Sequence, residues 1–306
     1  MGITGAGVLD IISRPQSSAV AAVVCALVCL ILTITWVTTY QQCGGSVSMS
    51  WGEDCTDAGC ATNQGCIFNW HPVLMVASMI FGTTCAVLSY QLPLEKSITK
   101  PLHMALLFIS FVVICVGLHA VFKYHNTKMF HGKAKPIENM TSLHSWLGIT
   151  TVVLFSAQLT AGAYHFIPGP DAGVPGVTGE TKGLYKPLHV IGGLLCVVLP
   201  VICCATGMQE KTEFVDRFGI HNGDKYMKID GSGGNNNTST QKEQEKADFA
   251  DFHGSELTHL NFLGLFLLLQ MTFVFFAVSR RGGGKPAGAN LQNSLMESPE
   301  GVGGSF

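Results

Sequence analysis

"KPLHMALLFISFVVICVGLHAVF", residues 100–122, decides the fold. After Lys100 it runs from Pro101 to Phe122 without an Asp, Glu, Lys or Arg. A bilayer hydrocarbon core about 30 Å thick needs about 20 residues of helix. Backbone amides in lipid must be paired within the segment, so a stretch of this kind is a helix and not an open strand. Five further charge-free runs of similar length obey the same rule: 19–37, 72–92, 143–167, 187–207 and 257–279. The sequence therefore predicts an all-α integral membrane protein of six transmembrane helices.

Composition agrees. Of 306 residues, 47% are hydrophobic and only 12% charged, about half the charged share of a soluble domain. With 18 basic and 20 acidic residues there is no basic excess to engage nucleic acid. The run at 19–37 is longer than a signal-peptide core, and Gln41, Gln42 and Cys43 offer no small-x-small cleavage site, so it reads as a retained helix.

Six crossings place both ends of the bundle on one side. Arg280, Arg281 and Lys285, directly after the last run, point to a cytosolic C-terminus. Four of the 11 cysteines, Cys43, Cys55, Cys60 and Cys66, crowd into the first loop with Glu53, Asp54 and Asp57 and no basic residue. That pattern suits two disulfides in an oxidising compartment, with three connectivities open. Sequons at Asn139, Asn236 and Asn237 fall in loops of the same side, Asn139 being close to the membrane. Cys25, Cys29, Cys85, Cys115, Cys196, Cys203 and Cys204 lie inside helices as packing residues. The expected organisation is a cytosolic segment 1–17 and a six-helix domain 18–280 with core 69–211. A flexible non-cytosolic loop spans 209–256, and a Gly- and Ser-rich disordered cytosolic tail covers 281–306. Pro200 predicts a kink in the fifth helix.

The ionisable side chains within the runs are histidines, and ionisable groups in lipid are functional candidates. His71 and His144 open helices two and four from the outer side. His103 and His189 open helices three and five from the inner side, each as the last residue of a "KPLH". That gives two pairs at two depths, about 20 Å apart along the membrane normal. Two imidazoles facing each other across a four-helix core suit the axial positions of a haem iron, and such ligation favours electron transfer over oxygen chemistry. His259 and His165 read as interfacial, and His221 and His253 carry no signal. A haem-free, histidine-dependent transporter or proton-coupled carrier is the other class, although its relays usually include Asp or Glu. Zinc needs three or four ligands at one point.

The segments "NWHPVLMV", "KPLH", "VFKYHN", "SLHSWLG", a second "KPLH" and "TGMQEK", in this order over residues 69–211, closely resemble the cytochrome b561 family. The resemblance implies a homodimeric, ascorbate-dependent transmembrane reductase with two haem b groups. It implies that His71 and His144 hold the outer haem iron, and His103 and His189 the inner one. It also implies oxidation of cytosolic ascorbate and reduction of monodehydroascorbate or a ferric chelate outside. Lys96, Lys100, Tyr185 and Lys186 are the candidates for the anionic donor, with Lys100 and Lys186 nearest the ligands. His125, with Phe122, Lys123 and Ser142 close by, is the candidate on the acceptor side; His119 has no histidine counterpart. The family's second helix commonly ends in Tyr-Arg, where this chain has Tyr90-Gln91, and Thr141 stands where a tyrosine is common.

Overall fold

The computed structural model describes residues 15–40, 65–127, 129–130, 133–134, 136–167, 174–218 and 239–279. Six helices long and apolar enough to cross a membrane are present, so the chain is an integral, multi-pass membrane protein. They are α1 (Pro15–Tyr40); α2, which runs from Gly65 to Gln91 in four parts; α3 (Lys96–Thr127); α4 (Leu143–Phe166); α5 (Gly179–Phe218); and α6 (Ser239–Ser279). The β-structure among the described residues is a hairpin of two short strands, β1 (Met129–Phe130) and β2 (Lys133–Ala134).

The helices overrun the charge-free runs because polar residues extend a helix beyond the lipid at little cost. α5 continues unbroken through Pro187 and Pro200 to Phe218, and α6 begins at Ser239. Much of the segment expected as a flexible loop, 209–256, is thus helical. The expectations for Cys43, Cys55, Cys60, Asn236, Asn237, Arg280, Arg281 and Lys285, and for the side chain of Cys66, lie outside the described residues. The seven intrahelical cysteines are free thiols.

α2 is the most buried span. It is α-helical over Gly65–Met75, π-helical over Val76–Gly82, α-helical over Thr83–Leu88, and closes in a 3-10 turn, Ser89–Gln91. The wide turn is supported by Thr83, whose hydroxyl donates to the Ser78 carbonyl at 3.1 Å, five residues back. A π-turn rotates the C-terminal part of a helix relative to its N-terminal part, here between His71 and the stretch that faces His103. Two glycines let α2 and α3 touch. A Cβ on Gly82 would collide with Ser110 Oγ, and one on Gly117 would come within 3.2 Å of Leu74 Cβ and Met75 Cε. Small residues at such crossings are the usual means of close approach in membranes.

Helices α2, α3, α4 and α5 form a closed ring, each packed on the next and α5 back on α2, with α1 and α6 packed together on the outside against α2 and α5. In such a ring α2 lies diagonal to α4, and α3 to α5. The outer layer is fixed to the ring by polar contacts as well as by apolar packing. Gln270 of α6 is buried and donates to Thr84 Oγ1 at 2.7 Å, and Gln91 donates to the Ala277 carbonyl at 2.9 Å. Between α1 and α6, the Trp36 indole donates to Glu256 Oε1 at 2.9 Å and His259 Nε2 donates to the Leu32 carbonyl at 2.8 Å. Glu256, just outside the charge-free run, is therefore carried into the packed helix and buried. His259, expected at the interface, tethers α1 to α6.

An interhelical hydrogen bond of this kind contributes about 0.6–2 kcal/mol in a membrane. Removing one partner strands the other in an apolar setting. Thr84→Val should lower the thermal midpoint in detergent, whereas Thr84→Val combined with Gln270→Leu should recover most of the loss. A double variant no better than the single one would show that this bond does not fasten α6.

Candidate functional site

The four helix-opening histidines occupy the interior of the ring in two diagonal pairs. His71 of α2 and His144 of α4 face each other with ring centroids 6.2 Å apart and planes at 88°. His71 Nδ1 donates to the Gly117 carbonyl of α3 at 3.1 Å, and His144 Nδ1 to the Cys203 carbonyl of α5 at 2.9 Å. Those bonds select the tautomer in which Nε2 carries the lone pair. The ring of His144 lies against Gly207: a Cβ there would stand 2.8 Å from its Cε1. Phe68 flanks His71 at 6.1 Å and Tyr124 at 5.2 Å.

At the other level His103 of α3 donates from Nδ1 to the Ala86 carbonyl of α2 at 2.7 Å, with Tyr90 at 5.1 Å. His189 of α5 is seated on Gly162 of α4, where a Cβ would come within 2.8 Å of its Cε1. Phe166 lies edge-on to it at 5.3 Å and Tyr185 at 5.8 Å. His103 and His189 line one opening between the helices, together with Val87, Leu107, Phe155 and Leu159. His189 departs from the rule of the other three: its buried Nδ1 has no hydrogen-bond partner among the described residues.

These residues fit a haem at each level. A metal bound by two imidazole nitrogens at about 2 Å each holds two ring centroids about 6 Å apart, which is the His71–His144 separation. Each level supplies two imidazoles from opposite walls, and the remaining metal positions are those a planar macrocycle fills. The cavity walls at the second level are mostly apolar, as a porphyrin face requires.

The candidate donor residues share the His103–His189 end of the ring. Lys96 and Lys100 are exposed on the first turns of α3, and Lys186 is exposed one turn before His189. Tyr185 is half-buried and stacks on His165 at 4.3 Å with planes 28° apart. His165, read as interfacial, thus packs on Tyr185 beside His189, a contact for which "AYHF" gave no signal. Gln91, where the family commonly has arginine, points to α6 through its bond to Ala277 and takes no part in this face.

At the other end, His125 is half-buried at the close of α3 and Phe122 is exposed. Ser142 is the N-cap of α4: its Oγ accepts from the Ser145 amide at 3.2 Å. Lys211, inside "TGMQEK" but not singled out from sequence, places its ammonium 5.6 Å from the centroid of Phe68. That puts a cation beside the His71 level.

The model of the eukaryotic cytochrome b561 family matches residues 70–215, nearly all of the four-helix ring. The chain is 35% identical over 193 residues to a lysosomal membrane ascorbate-dependent ferrireductase, CYB561A3, of Danio rerio, covering 62% of this chain and 67% of that one. Its Mus musculus counterpart is 41% identical over 153 residues, 49% and 58% of the two chains. A plasma membrane ascorbate-dependent reductase, CYBRD1, of Xenopus tropicalis is 33% identical over 189 residues, 60% and 57%. The matches thus span between about half and two thirds of these relatives' lengths. On the strength of that ring, its crossed histidines and these matches, the chain belongs to the cytochrome b561 family.

Proposed function

We propose that this chain is an oxidoreductase that carries single electrons across the membrane. They pass from cytosolic ascorbate through two haem b groups to a ferric chelate or monodehydroascorbate on the other side. The reading includes cytosolic termini, a homodimer, and residence in the plasma membrane or an endomembrane vesicle. The observation that supports it best is the crossed pairing: His71 with His144, and His103 with His189, each from diagonal helices and at separate depths. The relatives' names, ascorbate-dependent ferrireductase and ascorbate-dependent reductase, support the donor and the ferric acceptor.

When bound, such a group supplies a one-electron ferric/ferrous couple, and two imidazoles leave no open position for oxygen. The chain's own part is holding and docking. The carbonyls of Gly117, Ala86 and Cys203 orient three of the imidazoles and raise their basicity. Gly162 and Gly207 give two rings room against the facing helix. Lys100 and Lys186, with Lys96 and Tyr185, would dock the anionic donor at one end, where exposed ammonium groups raise the local concentration of an anion. His125, with Phe122 and Ser142, would meet the acceptor at the other end. A carrier using histidine and carboxylate relays finds less support. Glu256 is bonded to Trp36 in the outer helix pair, away from the ring.

Four outcomes test the reading. Purified protein should hold two b-type haems per chain. His103→Ala or His189→Ala should leave about one, with ascorbate no longer reducing it. Continued reduction of the remaining haem by ascorbate would invert the topology, and a fully active haem-free protein would remove the proposal. Gly207→Ala should shift the spectrum and midpoint potential of the His71–His144 centre alone, and Gly162→Ala those of the other. Uniform shifts would mean that the glycines do not seat individual rings. Lys100→Ala should raise KM for ascorbate about ten-fold at low salt, with haem content unchanged. Salt-independent wild-type kinetics would return Lys100 to the role of a membrane-edge anchor.

A further inference from the structure

The short segment before α4 is fastened to the end of α3 by three hydrogen bonds from Ile137 and Asn139. The Ile137 amide donates to the His125 carbonyl at 2.9 Å. Asn139 Nδ2 donates to Asn126 Oδ1 at 3.2 Å. Asn139 Oδ1 lies 2.9 Å from His125 Nδ1. Because the Asn139 amide nitrogen is engaged by Asn126, its oxygen is what meets the ring, so His125 Nδ1–H is the donor. Met140, next in the chain, has φ +62°, a left-handed conformation that a residue with a branched or long side chain rarely adopts. Such local strain persists where the surroundings fix it. Here the surroundings are the bonds to α3 on one side and the Ser142 cap of α4 on the other.

From this geometry we infer that Asn139 is a positioning residue for the acceptor side. It fixes the plane and tautomer of His125 for contact with a hydroxyl-bearing acceptor, such as a ferric hydroxy-acid chelate or the ascorbyl radical. The inference rests on the proposed reading of His125 as an acceptor-side residue and adds to it the group that aims the ring. It also gives the Asn139-Met140-Thr141 sequon a different meaning. The amide that a glycan would need is the one bonded to Asn126, and a glycan there would displace the Asn139 side chain from His125.

The test uses full-length protein in liposomes loaded with ascorbate, with ferric citrate outside and external reduction as the readout. Asn139→Ala should lower kcat/KM for ferric citrate about ten-fold, mainly through KM. The rate of haem reduction by ascorbate and both midpoint potentials should stay as in wild type. Thr141→Ala removes the sequon while leaving the Asn139 side chain, and should match wild type. In a His125→Ala background the Asn139→Ala change should have little further effect, since a residue that acts through the ring has nothing left to aim. A Thr141→Ala loss equal to that of Asn139→Ala would assign the effect to glycosylation. Additive losses in the double variant, or a wild-type Asn139→Ala, would overturn the positioning role. A His125→Ala variant with unimpaired ferric citrate reduction would instead remove the acceptor-side reading of His125 itself.

Discussion

An imidazole placed among apolar helices is oriented by a fixed partner for one nitrogen, which leaves the other for a ligand, and for three of the four histidines that partner is the backbone of a neighbouring helix. His71 takes the Gly117 carbonyl of α3, His103 takes Ala86 of α2, and His144 takes Cys203 of α5. α2 and α3 thus orient each other's histidine, and α5 orients the one on α4. The carbonyls are available because helices can accept a second hydrogen bond at a carbonyl whose own ladder bond is intact. A side chain used in their place would itself be a polar group to bury.

The same arrangement sets the helix packing. A ring aimed at a backbone atom brings two helix axes close, and closeness demands small residues at the crossing. Gly117 both offers its carbonyl and admits Leu74 and Met75. Gly207 and Gly162 stand under His144 and His189. The π-helical turn of α2 lies between the residue that donates to α3, His71, and the one that accepts from it, Ala86. Its extra rotation belongs to the same fit of helix to helix.

The outer helices serve a different purpose. α1 and α6 carry none of the four histidines, yet they hold buried or half-buried polar links: Trp36 to Glu256, His259 to Leu32, Gln270 to Thr84, and Gln91 to Ala277. The last of these shows how one substitution changes the role of a position. An arginine at 91 could extend to the membrane edge, whereas the shorter, neutral Gln91 reaches the end of α6. Among the described residues, Lys96, Lys100 and Lys186 are exposed cations at the His103–His189 end.

Much of this protein could be read from its residues. Charge-free runs of about 20 residues can only be helices in a bilayer. The parity of crossings alone put His71 level with His144 and His103 level with His189. The ring order sets those pairs on diagonal helices. Other features depend on contacts between residues far apart in the chain, which periodicity does not carry. The seating glycines belong here, as do the carbonyl partners, the burial of Glu256, the engagement of Gln91, and the bond between His125 and Asn139. Depth comes from counting along one helix; orientation is decided by what the facing helix offers at that depth.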